Sequence, residues 1–204
     1  MPNVDTERSA TQVANIRVVA MAASAGGLGA LSEVLSRLPA GFPAAIVVVQ
    51  HLDPHHRSMM SQILARRTPL HVREARDGDQ VSPGTVLIAP PDRHMLVNPD
   101  LTVTLTRTEL VHFVRPSADL LFESVAASAG PKVVAVVLTG SGSDGKMGVE
   151  AVKKQGGVVI AQDEATCEHF GMPAAAIQTG VVDQVLPLHE IPSALIRVVI
   201  GDAT

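Results

Sequence analysis

Six short apolar runs, unbroken and rich in Val and Ile, constrain this chain more than any other feature. They are Ile16–Ala23, Ala45–Gln50, Thr85–Ala89, Lys132–Thr139, Gly157–Ala161 and Val181–Leu186. A strand with one wet face alternates polar and apolar residues; an unbroken run needs cover on both faces, as in a parallel sheet. Helix candidates fill the gaps: Leu28–Leu38, Ser58–Arg67, Ser117–Ala129, Gly145–Gln155, Pro173–Gly180 and Ile191–Ile200. In the first, Leu28, Leu31, Leu35 and Leu38 recur at helical spacing and predict one buried face. Such alternation predicts an α/β fold, doubly wound, with a mainly parallel sheet and helices on both faces. One stretch departs from the pattern. His94–Asn98 and Leu101–Arg107 flank Pro99-Asp100, and the second alternates strictly, which predicts an appended antiparallel hairpin. Residues 1–15 read as a flexible polar tail and 16–204 as a single domain.

Composition narrows the function classes. The chain has 204 residues, long enough for a substantial core. Four Phe and no Trp or Tyr make that core aliphatic and argue against base-stacking platforms for single-stranded nucleic acid. Sixteen basic and twenty acidic residues give a net charge of −4 with no long run of one sign. Clustered cations for phosphate neutralisation are lacking, so no nucleic-acid partner is expected. The single Cys167 excludes an intramolecular disulfide and a cysteine-rich zinc site. No apolar run approaches the ~20 residues of a membrane span, and the first residues do not read as a signal peptide. A soluble, cytoplasmic protein without membrane insertion is the expectation.

Ligands in open α/β sheets bind beyond the carboxyl ends of the strands, and three of these runs end in distinctive polar groups. The first leads into Ser24-Ala25-Gly26-Gly27. A serine at a strand-to-helix turn can expose its hydroxyl, and amides at the following helix start can steady negative charge. The same turn reads alternatively as a dinucleotide loop, or Ser24 as a helix N-cap. The second run ends in Gln50-His51, followed by Leu52-Asp53-Pro54-His55-His56. His51 is placed as a general base, although His51, His55 and His56 together also read as a metal cluster. The run Lys132–Thr139 opens into Gly140-Ser141-Gly142-Ser143-Asp144-Gly145. Asp144 reads either as the N-cap of the next helix or as the acid that orients a histidine. Together the three strand ends favour a Ser24, His51, Asp144 triad.

These pieces fall inside a longer set of motifs: Ser24-Ala25-Gly26-Gly27, Val49-Gln50-His51, Pro83-Gly84-Thr85-Val86, Ile88-Ala89-Pro90 and Arg115-Pro116-Ser117. Leu138-Thr139-Gly140, Ser143-Asp144-Gly145, Ala161-Gln162-Asp163, Phe170-Gly171-Met172-Pro173 and Ala175-Ala176-Ile177 continue it. In this order they resemble the catalytic domain of the chemotaxis protein-glutamate methylesterases, the CheB type, over nearly the whole chain. The resemblance implies hydrolysis of glutamate γ-methyl esters, and in some members deamidation of glutamine, with no cofactor and no metal. It implies a methylated, chemoreceptor-like helical bundle as substrate, and carries nucleophile, base and acid onto Ser24, His51 and Asp144. Amides of Ala25, Gly26 and Gly27 or of the Gly140–Gly142 loop are expected to bind the oxyanion. Arg93, His94 and Arg115 are expected to line the cleft toward an acidic substrate, with solvated surface positions as the alternative.

Two departures accompany the resemblance. Ser141 stands where the family commonly has Met, and Leu52–Met60 looks like the form found in hybrids with methyltransferases. About fifteen residues precede the first strand, so control by substrate access or by a separate regulatory protein is expected in place of a receiver in cis. Two other functions stay open on the residues alone: a docking module that retains the triad without turnover, and a hydrolase of a non-receptor ester.

Overall fold

The computed structural model describes residues 17–51 and 58–201. The tail expected over 1–15, and His55 and His56 of the alternative metal cluster, lie outside them. In chain order the elements are β1 (Arg17–Ala23), α1 (Gly27–Ser36), β2 (Ala44–Gln50), α2 (Met60–Ala65), β3 (His71–Glu74), β4 (Thr85–Ile88), β5 (His94–Val97) and β6 (Val103–Thr106). There follow α3 (Ala118–Ala129), β7 (Val133–Val137), α4 (Lys146–Lys154), β8 (Val158–Gln162), α5 (Gly171–Ile177), β9 (Gln184–Leu186) and α6 (Ile191–Ile200).

Seven strands form one sheet in the order β3-β4-β2-β1-β7-β8-β9, every pairing parallel. The three central strands are buried along almost their whole length, which is what their unbroken apolar runs require. One face is covered by α1, α2 and α6 through Leu31, Leu35, Leu64 and Leu195. The other is covered by α3, α4 and α5 through Leu121, Phe122, Val149 and Met172. Each such side chain taken fully from water contributes roughly 1.5–3 kcal/mol. The hairpin β5–β6 is a separate two-stranded sheet, and Met95, Val97 and Val103 pack into the α3 side of the core.

Two sequence expectations need correction. Leu28 is 37% exposed, while Leu31, Leu35 and Leu38 are buried. At 100° per residue the buried stripe centres near Leu31 and Val34, and Leu28 falls on its rim. Strand β3 was not expected, because only Val72 of its four residues is buried. It is the sheet edge, where charged outward residues discourage further pairing.

Strand order sets the position of the site. From β1 the chain turns to β2 on one side, and β7 returns on the other. Helix α1 leaves on one face of the sheet and α4 on the other. The loops after β1 and β7 therefore diverge and open a crevice at the topological switch point. Among the described residues no helix is long and apolar enough to cross a membrane.

Candidate active site

Ser24 follows β1 directly, and His51 follows β2. Ala23 and Gln50 are register partners, and the His51 amide donates to the Ala23 carbonyl at 3.1 Å. The two residues thus occupy adjacent ends of neighbouring strands, whose spacing is about 4.8 Å. The Ser24 amide donates to Thr139 O at 3.0 Å, tying the serine to the end of β7 as well. Gly26, at φ 79°, is the N-cap of α1, and no side chain caps that helix. The N-cap reading of Ser24 is therefore not what the geometry shows.

The His51 Nε2–H donates to Asp144 Oδ2 at 2.8 Å. Nε2 rather than Nδ1 therefore faces the carboxylate, the reverse of the ring orientation in the chymotrypsin-type template. Asp144 is 4% exposed. Its Oδ2 also accepts from the Ala118 amide at 2.6 Å. Its Oδ1 accepts from Ser117 Oγ at 2.9 Å and the Asp119 amide at 3.1 Å. Asp144 is thus not the cap of its own helix; Gly145 holds that place without a side-chain bond. It receives instead the N-terminal amides of α3, whose partial positive charge favours an anion. Burial raises the Asp144 carboxyl, but the His51 bond and the Ala118 and Asp119 amides outweigh it and hold it below the usual range.

A scaffold of buried polar side chains fixes these loops. Gln50, 5% exposed, donates from Nε2 to Ser24 O at 2.7 Å and to His51 O at 3.0 Å, clamping the two turns together. Gln162 Oε1 accepts from the Thr139 amide at 2.8 Å. The Thr139 hydroxyl reaches Ala25 O at 3.0 Å and accepts from the His169 amide at 2.9 Å. Gly140 lies so close to Ser24 that a Cβ there would stand 2.8 Å from Ser24 Cβ. Of these, Gln50, Gln162 and Thr139 were not singled out for roles from sequence. The available signal is a polar residue closing an apolar run, as in VVVQ, VVIAQ and VVLT.

The remaining expected site residues divide. The Gly27 amide is engaged by Ser24 O and the Gly140 amide by His169 O, so neither is free to bind an oxyanion. Ala25 and Gly26 are partly buried and Ser141 is exposed, all beside the crevice. His94 corrects its expectation: it is 0% exposed and does not line a cleft. Its Nδ1 accepts from the Ser117 amide at 3.1 Å, and its Nε2–H donates to Glu109 O at 2.9 Å. It holds the start of α3 from behind. Arg115 is likewise engaged, from Nε to Asp92 Oδ1 at 2.9 Å and from Nη1 to Thr108 O at 2.7 Å. Arg93 is partly buried. Glu168, which sequence reasoning passed over, is exposed and lies against the α1 start: a Cβ on Gly26 would stand 2.9 Å from its Cδ. Among the described residues no three or more His, Cys, Asp or Glu side chains are grouped to hold a metal ion.

In sequence and fold the chain is similar to proteins of one known family. The family model described as CheB methylesterase matches residues 19–195. The Pseudomonas aeruginosa protein named protein-glutamate methylesterase/protein-glutamine glutaminase 2 is 43% identical over 94% of this chain and 55% of its own length. A Symbiobacterium thermophilum protein-glutamate methylesterase/protein-glutamine glutaminase is 43% identical over 90% of this chain and 51% of its own length. The chain therefore spans about half the length of these curated relatives. The crystal structure of the Thermotoga maritima CheB methylesterase catalytic domain superposes with a TM-score of 0.88 at 40% identity, covering 91% of this chain and 100% of that domain. With a family match over most of its length and a shared fold, the chain belongs to the CheB methylesterase family.

Proposed function

We propose that this chain hydrolyses glutamate γ-methyl esters on a protein substrate, with Ser24 as nucleophile, His51 as base and Asp144 as acid. The observation that supports the reading most is the 2.8 Å bond from His51 Nε2 to a buried, four-bonded Asp144, one strand spacing from Ser24. His51 Nδ1 takes the Ser24 hydroxyl proton as Oγ attacks the ester carbonyl. Amides of Ala25, Gly26 and Ser141 receive the oxyanion, each donor of this kind being worth roughly 3–4 kcal/mol elsewhere. The tetrahedral species collapses, the methoxy oxygen takes the proton from the imidazolium, and methanol leaves. Water then gives a proton to Nδ1 and attacks the glutamyl-serine ester. Collapse returns the Nδ1 proton to Ser24 Oγ and frees the glutamate carboxyl group, which gives its remaining proton to solvent. The same steps with ammonia as leaving group would deamidate glutamine, the second activity in the relatives' names. The substrate is read as a chemoreceptor-like helical bundle.

The test is Ser24→Ala, assayed by methanol release from a methylated receptor fragment and by fluorophosphonate labelling. Turnover and labelling should both vanish. The Tm should hold, because Ser24 is fastened through its backbone bonds to Thr139, Gln50 and Gly27. Turnover above a tenth of the parent's would overturn the nucleophile assignment.

A further inference from the structure

Asp119 is the second residue of α3, 3% exposed, and the chemistry above does not use it. A carboxylate buried there is costly unless it is paired. Its Oδ1 accepts from the Gly148 amide in the first turn of α4 at 2.8 Å. Its Oδ2 has no hydrogen-bond partner among the described residues and faces His112 Nε2 at 3.4 Å. Its own amide donates to Asp144 Oδ1 at 3.1 Å. The two helices therefore cap each other. Asp144, just before α4, receives the first amides of α3, and Asp119, in the first turn of α3, receives an amide of α4. The close approach depends on Gly148, where a Cβ would stand 3.1 Å from Asp119 Cα and closer still to Phe122.

The cross-link has a consequence for the acid. Asp144 ends a glycine-rich loop whose residues 141–143 are exposed and whose Gly142 and Gly145 have positive φ. Such a loop does not by itself hold a carboxylate 2.8 Å from an imidazole. Downstream of Asp144 lies the first turn of α4, which Asp119 ties to α3 by a hydrogen bond. Burial foremost raises the Asp119 carboxyl, and the charges of Asp144 and Glu123 add to this. The Gly148 amide and His112 oppose them, and the carboxyl stays above its usual range. An acid raised on folding adds stability below its unfolded pKa and loses it as pH rises through the folded one. An amide in its place would not titrate and would carry none of this pH dependence.

We propose that Asp119 is a positioning residue of the hydrolytic site, fixing Asp144 against His51 by cross-linking the N-termini of α3 and α4. The inference rests on the triad reading. The variants are Asp119→Ala, which removes the acceptor for Gly148, and Asp119→Asn, which keeps an Oδ1 acceptor without the charge. Each is read as kcat, KM and the acid limb of the pH–rate profile for ester hydrolysis. Asp119→Ala should lower kcat about thirtyfold with KM within about twofold, and shift the acid limb downward as the imidazolium loses Asp144. Asp119→Asn should recover most of that loss, with a Tm no lower than the parent's. If Asp119→Ala does not fold, Gly148→Ala, which pushes α4 away from α3, is held to the same criteria. Parent-like kcat in the disrupting variant, equal losses in Asp119→Ala and Asp119→Asn, or an unmoved acid limb would each overturn the inference. Ser24→Ala in the same assay separates the two ideas: its retained turnover would remove the triad, whereas its inactivity beside a parent-like Asp119→Ala removes only the role of Asp119.

Discussion

Asp144→Asn is the substitution in which the structure constrains the outcome most tightly. Both donors at Oδ2, His51 Nε2–H and the Ala118 amide, require an acceptor there. The asparagine carbonyl must therefore take that place and its NH2 the place of Oδ1, opposite the Ser117 hydroxyl and the Asp119 amide. The hydroxyl can accept from it; the amide cannot. The His51 tautomer survives, unlike the case in which an amide acid forces the wrong one. What is lost is charge. At 2.8 Å and an effective dielectric constant of about 20, a unit pair is worth about 6 kcal/mol. A neutral hydrogen bond keeps roughly 1–2 of this. The barrier should rise by about 4 kcal/mol, lowering kcat/KM about a thousandfold. One buried amide without a partner should also cost roughly 1–3 kcal/mol of stability. The carboxyl is held below its usual value on folding, so its stabilisation is present above the unfolded pKa of about 3.9 and lost as pH falls through the folded one. The Tm gap between parent and variant should accordingly be widest near neutrality and close only below about pH 4. The measurements are ester hydrolysis under kcat/KM conditions and thermal melts from pH 3 to 8. Activity within tenfold of the parent's, or a Tm gap that grows on acidification, would refute the reasoning.

Two further outcomes follow from the same loops. Gly140→Ala would set a methyl against Ser24 Cβ; overpacking of this kind costs about 1–3 kcal/mol. It should lower the Tm and slow fluorophosphonate labelling at least tenfold, and unchanged labelling would separate Gly140 from the serine's placement. Glu168→Gln removes a negative charge beside the α1 start and should raise kcat/KM about two- to fivefold at low salt, the gain fading as salt screens the charge. A fall in kcat/KM would mean that Glu168 assists the reaction instead of opposing the oxyanion.

Much of the architecture is legible in the residues alone. Unbroken runs such as AIVVVQ and KVVAVVLT demand cover on two faces, and the separating helices supply it, so a parallel α/β sheet follows from local pattern. The ends of those runs carry Ser24, His51 and Asp144, and sheet geometry directs strand ends toward one edge. Periodicity reports burial along an element, however, and not which elements meet. Strand β1 lies between β2 and β7, and only that order brings Ser24 against Gly140, more than a hundred residues later. The amide and hydroxyl partners of Asp144 lie about 26 residues upstream at the start of a different helix, at no spacing a sequence pattern encodes. In sequence His94 reads as a cleft residue or a solvated one; packing of the hairpin on α3 buries it and satisfies both ring nitrogens. The local chain determined which segments are strands and helices and which polar groups end them, because backbone propensity and burial act over a few residues. Tertiary structure alone decided which groups come within hydrogen-bond reach, because those interactions act over a few ångströms and join segments that chain order keeps apart.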